Sequence, residues 1–321
     1  MGVYHSGSRA VQDRVGVRDL ADHVGRAIGD GIGPVMAAFL ELQPLLVAGA
    51  ADPADGRVWA TAVTGAPGFV RATGPHRMSV TTGASRPSEV SRPSVPSRAP
   101  GEEGVEGGPP SADPLAAALA TPGTPVGTIV LDPRTRRRLR VNGRLRPTPH
   151  GFAVETDRVF ANCPKYLQRR AAYETVDRIP GSPRRGTGLT AGQAGFVTAS
   201  DTFFLATVHP GGSGSEVSHR GGGPGFVRVT SPCTLSWRDY PGNSMFLTLG
   251  DLAVDPRAGL LFLDWTTGRT LQLTGEARTS FAPDGARTVL FTVTEAVDTP
   301  RALPLRWSAP EYSPANPDPT G

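Results

Sequence analysis

The chain has 321 residues, with 33 basic and 29 acidic side chains, a net charge of +4, which is too small a balance to argue for a polyanionic partner by itself. Its two cysteines, Cys163 and Cys233, lie far apart, and neither has a second Cys or a His at metal-ligand spacing, so a disulfide framework and a cysteine-ligated zinc site both read poorly and no metal is expected. No apolar run approaches the length of a membrane span, and the N-terminus lacks the basic, apolar, small-residue order of a signal peptide, which predicts a soluble, cytoplasmic protein with no membrane partner.

Residues 1–40 read as N-terminal helices. "VGVRDLADHVGRAI" sets Val17, Leu20, Val24 and Ile28 along one helical stripe, and "PVMAAFLELQ" opens a second helix with Pro34 at its first position. From 41 to 177 short apolar runs alternate with Pro/Gly turns, as strands do. Within that span, residues 83–112 are rich in Ser, Pro, Gly and charge, and are expected to form a disordered insertion. The stretch "NCPKYLQRRAAYE" predicts a helix. Residues 178–197 read as a linker, 198–305 as a second strand-rich segment containing a helix at "SMFLTLGDLAVDP", and 306–321 as a tail.

The two strand-rich segments repeat one another. "GAPGFVRAT" from Gly65 matches "GGPGFVRVT" from Gly222, and both follow an apolar run, a polar turn and a second strand-like run. "GTIVLDPRTRRRLRVNGRLR" from Gly127 aligns without a gap to "GLLFLDWTTGRTLQLTGEAR" from Gly259, which pairs Leu131 with Leu263, Asp132 with Asp264, Arg137 with Arg269 and Gly143 with Gly275. A repeat that preserves strand and turn order predicts two copies of one unit. The fold class is therefore mainly β with flanking helices (α+β), arranged as a pseudo-dimer within the chain, with or without further homodimerisation.

Self-contained hydrolase or kinase signatures are absent: there is no nucleophile elbow, Walker loop or His-Glu-x-x-His. The run "RTRRRLRVNGRLR" alternates, with Arg134, Arg136, Arg138, Arg140, Arg144 and Arg146 on one face and Leu139, Val141 and Leu145 on the other. That Arg face suits open solvent, a phosphate or a nucleic acid, although the interleaved aromatics that stack on bases are missing. The matching run in the second copy offers the neutral side chains Thr270, Gln272 and Thr274. His219, beside Arg220 and a Gly-rich turn, is either structural or part of a site.

"SEVSHRGGGPGFVRV", "LSWRDYPGNSMFLTLGDLAVDPRAGLLFLD" and "GRTLQLTGEAR" together resemble the pyridoxamine 5'-phosphate oxidase-related, FMN-binding split-barrel family, with "NCPKYLQRR" similar to a longer branch of it. The resemblance implies tandem split β-barrels and a flavin site in the second copy. Arg220 would contact phosphate, with Ser218 and His219 beside it. Ser236 and Trp237 would line the flavin. Asn243, Ser244 and Thr248 would donate near a helix start, and Arg269, Thr270 and Gln272 would reach the ring edge. The first copy has no basic residue where Arg220 stands, and its site reads as degenerate. The family's Arg-Leu-His type substrate tail is missing, which argues against vitamin B6 oxidation. The implied function is that of an FMN-dependent oxidoreductase, with FAD or a deazaflavin as alternative cofactors, acting on a small-molecule substrate or a reduced nicotinamide donor and passing hydride or electrons to a small acceptor or oxygen. A non-catalytic flavin- or haem-binding module is the alternative, and nucleic-acid binding through the Arg-rich strand a weaker one. No catalytic acid or base is assigned.

Overall fold

Strands of five to thirteen residues, some continuously apolar and some alternating, build two large antiparallel sheets, and the computed structural model describes them within residues 3–82 and 113–317. The insertion expected at 83–112 lies outside the described residues. The first sheet contains β1 (Leu45–Ala51), β2 (Val58–Thr64), β3 (Val70–Gly74), β4 (Arg77–Thr81), β5 (Pro125–Asp132), β6 (Arg137–Thr148) and β7 (Gly151–Ala161), in the order β2-β1-β5-β6-β7-β4-β3. Short strands β8 (Arg169–Arg170), β9 (Tyr173–Thr175) and β10 (Arg184–Gly186) follow. The second sheet contains β11 (Thr202–Val208), β12 (Ser215–Gly221), β13 (Val227–Ser231), β14 (Thr234–Arg238), β15 (Arg257–Leu263), β16 (Thr270–Phe281) and β17 (Arg287–Thr299), in the order β12-β11-β15-β16-β17-β14-β13. The two orders are the same once the strands are counted within each sheet.

The register agrees as well. Leu131 pairs with Arg138 and Ile129 with Arg140 in the first sheet, as Leu263 pairs with Thr270 and Leu261 with Gln272 in the second. Val63 opposite Leu46 corresponds to Arg220 opposite Phe203. Both long strands bulge at one place, between Asn142 and Gly143 and between Thr274 and Gly275. A Cβ there would stand 1.8 Å from the Glu155 carbonyl oxygen or 1.9 Å from that of Thr292, so only glycine fits either bulge.

Each half has its own apolar core, with Leu46, Met78, Val130 and Phe152 central in the first and Phe203, Trp237, Phe262 and Phe291 in the second. A third core lies between the sheets, where Val47, Val58 and Ile129 meet Phe204, Val217 and Leu261. The backbones approach closely at this junction. A Cβ on Gly127 would be 2.4 Å from Glu216 Cα, and one on Gly259 would be 2.8 Å from Trp59 Cα.

Helices α1 (Ser6–Arg14), α2 (Arg18–Gly25), α3 (Pro34–Glu41), α4 (Ala116–Ala120), α5 (Ala191–Ala199) and α6 (Leu247–Val254) flank the sheets. Three expectations need correction. Leu20, placed on the buried stripe, is 51% exposed, because α2 buries its small residues Ala21 and Gly25 instead. "NCPKYLQRRAAYE" forms no helix: β8 and β9 pair with β19 (Pro310–Glu311) and β18 (Leu305–Trp307), so the C-terminal tail supplies the backbone partners that a helix would have supplied internally. The stretch 178–197 is more than a linker, since β10 pairs with β17 and α5 carries a Thr190–Gln193 capping box. Among the described residues no helix is long and apolar enough to cross a membrane.

Candidate functional site

The loop leading into α6 carries two non-glycine residues in the left-handed region, Ser244 (φ 60°) and Phe246 (φ 53°). Such backbone is costly and recurs at functional sites. Phe246 occupies the N-cap position, where no side chain caps the helix. Among the described residues the first N–H groups of α6 therefore lack a side-chain cap, at the wall of a cleft of about 120 Å³ that Leu247, Thr248 and Leu249 help to line. The cleft lies at the junction of the halves. From the first half come Arg138, Arg140, Asn162, Cys163 and Tyr166, and from the second His219, Arg220, Trp237, Asp239 and Asn243.

The cleft is rich in polar groups without partners. Arg138 Nε, Arg140 Nε, Asn162 Oδ1, His219 Nε2, Arg220 Nε and Trp237 Nε1 are all buried and make no hydrogen bond. Five of these six are donors, and leaving each unsatisfied costs roughly 1–3 kcal/mol. Their other atoms are engaged. Arg138 Nη1 donates to His219 Nδ1 (2.7 Å), Arg140 Nη1 to Glu216 Oε2 (3.2 Å) and Arg220 Nη1 to Asp239 Oδ1 (2.6 Å). Arg287 Nε donates to the second Asp239 oxygen at 2.9 Å. At the rim the rings of Tyr166 and Tyr240 pack with centroids 5.2 Å apart.

The electrostatics follow from this crowding. Burial, followed by repulsion from Arg140 and Arg220, pushes the Arg138 guanidinium down to about 9, still charged at neutral pH. Burial and then Arg138, Arg220, Arg140 and Arg170 hold His219 well below its ordinary value, so its ring is neutral. An arginine always donates, so His219 Nδ1 is the acceptor and the ring proton sits on Nε2. A confined surplus of positive charge with unused N–H donors and an uncapped helix start is the chemistry of an anion site.

Of the residues singled out in the sequence, His219, Arg220, Trp237, Asn243, Ser244 and Thr248 line this cleft. Five do not. Ser218 is 1% exposed and donates to the Leu205 carbonyl at 3.4 Å. Ser236 lines a separate depression with Arg228 and Thr288. Arg269 is held by both oxygens of Asp298 at 2.8 Å, Thr270 is buried, and Gln272 donates to the Ala60 carbonyl at 3.0 Å. Thr270 and Gln272 stand on β16, in the register places that Arg138 and Arg140 occupy on β6, and Arg269 immediately precedes the strand; of the three, Gln272 reaches the first half through Ala60. The residues missed were Arg138 and Arg140, which the alternating pattern marks as arginines on a shared face but does not aim at the other half. That face is also not a free surface. Arg134 and Arg136 fall in the turn before β6, Arg144 donates to the Gly123 and Ser213 carbonyls, and Arg146 pairs with Glu155.

No protein-family model matches the sequence, and no curated protein matches it. Among solved structures, HupZ of Group A Streptococcus is similar over 33% of this chain and 89% of its own, at 9% identity and a TM-score of 0.27. An F420 reductase is similar over 33% of this chain and 95% of its own, at 15% identity and a TM-score of 0.25. A pyridoxinephosphate oxidase family protein related to general stress protein 26, from Clostridium acetobutylicum, is similar over 30% of this chain and 78% of its own, at 14% identity and a TM-score of 0.22.

Proposed function

We propose that this chain is a flavoprotein built from two split-barrel copies, that it binds FMN with the phosphate in the cleft between them, and that it acts as an oxidoreductase on a small-molecule or reduced nicotinamide donor. The observation that carries this reading is the convergence of buried, unpartnered donors from both halves on one cleft beside an uncapped helix start. The residues fit the phosphate end of the cofactor. Arg138 and Arg220 would supply charge, His219 Nε2 and Trp237 Nε1 neutral donors, and the first turn of α6 its backbone N–H groups. The volume of about 120 Å³ suits a phosphate and is below the roughly 300–1,000 Å³ of a pocket enclosing a whole small molecule. The fit thus concerns that end. When bound, FMN would supply hydride or electron transfer to an acceptor or oxygen. The chain's own part would be to anchor the phosphate and to keep His219 neutral through burial first and then Arg138 and its neighbouring arginines.

The same donors suit the phosphates of FAD or a deazaflavin. They suit haem poorly. Ligating an iron requires a free imidazole lone pair, whereas the Nε2 of His219 carries the proton because Arg138 fills Nδ1. One observation favours a non-catalytic flavin carrier: among the described residues His219 is the one imidazole that lines the cleft, and it is held neutral, away from the range useful in general acid–base chemistry.

An absorption spectrum of the purified protein tests the reading. A flavin spectrum that bleaches with reduced nicotinamide and recovers in air is expected of the oxidoreductase, whereas a redox-inert flavin identifies the carrier. Arg220→Ala should weaken FMN binding about ten- to a hundredfold, the loss of one charge-assisted contact. Unchanged affinity in the folded variant would place the phosphate elsewhere.

A further inference from the structure

A second cluster joins the cleft only through Arg140, which lines the cleft and bonds Glu216, and the flavin reading does not use it. His209 follows β11, Glu216 stands on β12 and Asp251 on α6, and all three are buried. Their ligand atoms lie within 4.8 Å of one another. His209 Nε2 is 3.7 Å from Glu216 Oε1 and 4.0 Å from Asp251 Oδ1. These separations are too long for hydrogen bonds. They fall inside the separation that two ligands of one ion can have, since bonds of about 2.0–2.2 Å allow up to roughly 4.4 Å between them.

The same two atoms that face each other across the gap, His209 Nε2 and Glu216 Oε1, have no hydrogen-bond partner. A fully buried carboxylate oxygen and a buried imidazole nitrogen, each left open toward a common point, are what a ligand set shows before its ion arrives. The surroundings hold the carboxylates in place as outer partners do. His5 Nδ1 accepts from the Gly7 N–H, so its Nε2 carries the proton and donates to Asp251 Oδ1 at 2.9 Å. Thr207 Oγ1 donates to Asp251 Oδ2 at 2.7 Å, and Arg140 holds Glu216 Oε2. Arg158 Nη1 stands 3.6 Å from Glu216 Oε1, and it too makes no hydrogen bond.

We propose that His209, Glu216 and Asp251 bind one divalent first-row transition-metal ion, with His5, Thr207 and Arg140 fixing the two carboxylates from outside. One imidazole and two carboxylates form a borderline nitrogen and oxygen donor set, which suits zinc, manganese, iron(II) or cobalt(II) and offers no sulfur to copper(I). The two carboxylates neutralise the ion. The sequence conceals the site because its ligands come from a loop, a strand and a helix rather than from one spaced motif. The site does not depend on flavin binding.

The experiment is a cobalt(II) titration of the full chain after chelator treatment and dialysis. Saturable binding at one site per chain, with visible ligand-field bands that zinc(II) displaces, is expected. Glu216→Gln and His209→Ala should each lower cobalt affinity by at least about 10–100-fold, the cost of losing even an outer partner. Arg220→Ala, which touches only the cleft, should leave cobalt binding unchanged even if it abolishes flavin binding. If either ligand variant does not fold, His5→Ala serves in its place, with an expected loss in the same range. No saturable cobalt binding by the folded wild-type chain would overturn the proposal, since an ion-pair network satisfied by Arg140 and Arg158 needs no ion. Equal affinity in the wild-type chain and the ligand variants would overturn it as well.

Discussion

Arg138 on the first sheet donates to His219 on the second at 2.7 Å, and this one contact joins the halves, sets the imidazole tautomer and faces a charge into the cleft. Arg138 is thereby a binding residue if the phosphate sits in the cleft. Arg138→Ala should weaken FMN binding about ten- to a hundredfold, for roughly 1.5–3 kcal/mol. Arg269→Ala, which breaks a pair with Asp298 outside the cleft, should leave the affinity as it was. A fluorescence titration of the two variants side by side decides it, and a larger effect from Arg269 would move the site away from the cleft.

Stability should fall on acidification through His219. Its folded value lies well below the ordinary one because of burial first and then four arginines. Above about pH 6.5 neither state binds the proton, so nothing is lost. Below that, the unfolded chain takes up a proton that the folded chain refuses, and stability drops by about 1.4 kcal/mol per pH unit down to the folded value. Urea midpoints of the flavin-free protein across this range should show a shallower acid slope for His219→Gln than for the wild-type chain. Parallel slopes would mean that the ring is protonated in the folded state.

The two phenylalanines of the repeated Pro-Gly-Phe-Val-Arg turn are packed differently. Phe69 is 7% exposed in the first core, while Phe226 is half-buried, stacks on Phe203 with centroids 5.8 Å apart and lines the cleft. Phe69→Ala should cost about 3–5 kcal/mol and leave the flavin spectrum unaltered. Phe226→Ala should cost less and shift the spectrum. Bound-flavin absorbance of both folded variants is the check, and an effect from Phe69 alone would contradict the assignment.

Gly127→Ala and Gly259→Ala should each destabilise the chain by about 1–3 kcal/mol, because the new methyl group meets backbone that cannot step aside. Gly192→Ala on α5, with open space around its Cβ, should instead stabilise by about 0.5–1 kcal/mol. Chemical denaturation of the three variants measures both signs.

That strands and turns follow one another in the same succession in both halves was legible because the sequence repeats its turns: the two Pro-Gly-Phe-Val-Arg stretches and the gapless run from Gly127 and Gly259 mark matching strands. Helices α3 and α6 were legible from Pro34 and from the apolar run before Asp255. Helix α1 was not, since Ser6–Arg14 buries Gly7, Ser8, Val11 and Gln12, a stripe too polar to announce itself. The site was half legible. Local pattern shows that Arg220 ends a strand beside a glycine turn, but nothing local says whether β6 or β16 lies across from it. Placing Arg269, Thr270 and Gln272 beside Arg220 assumed that each half completes its own site. The cleft instead takes one wall from each.

The correspondence of Val63 with Arg220, and of Gln272 with Arg140, also bears on how such a molecule can change. In a pair of identical subunits every substitution appears twice, so a guanidinium introduced at one interface is imposed on the other, together with its desolvation cost. Joining both sheets in one chain removes that constraint. The Arg138–Arg140 junction can concentrate charge while its counterpart, where Gln272 spends its amide on Ala60, is left to hold the sheets together. Selection can then act on the charge of one junction and on the cohesion of the other, without compromise between them.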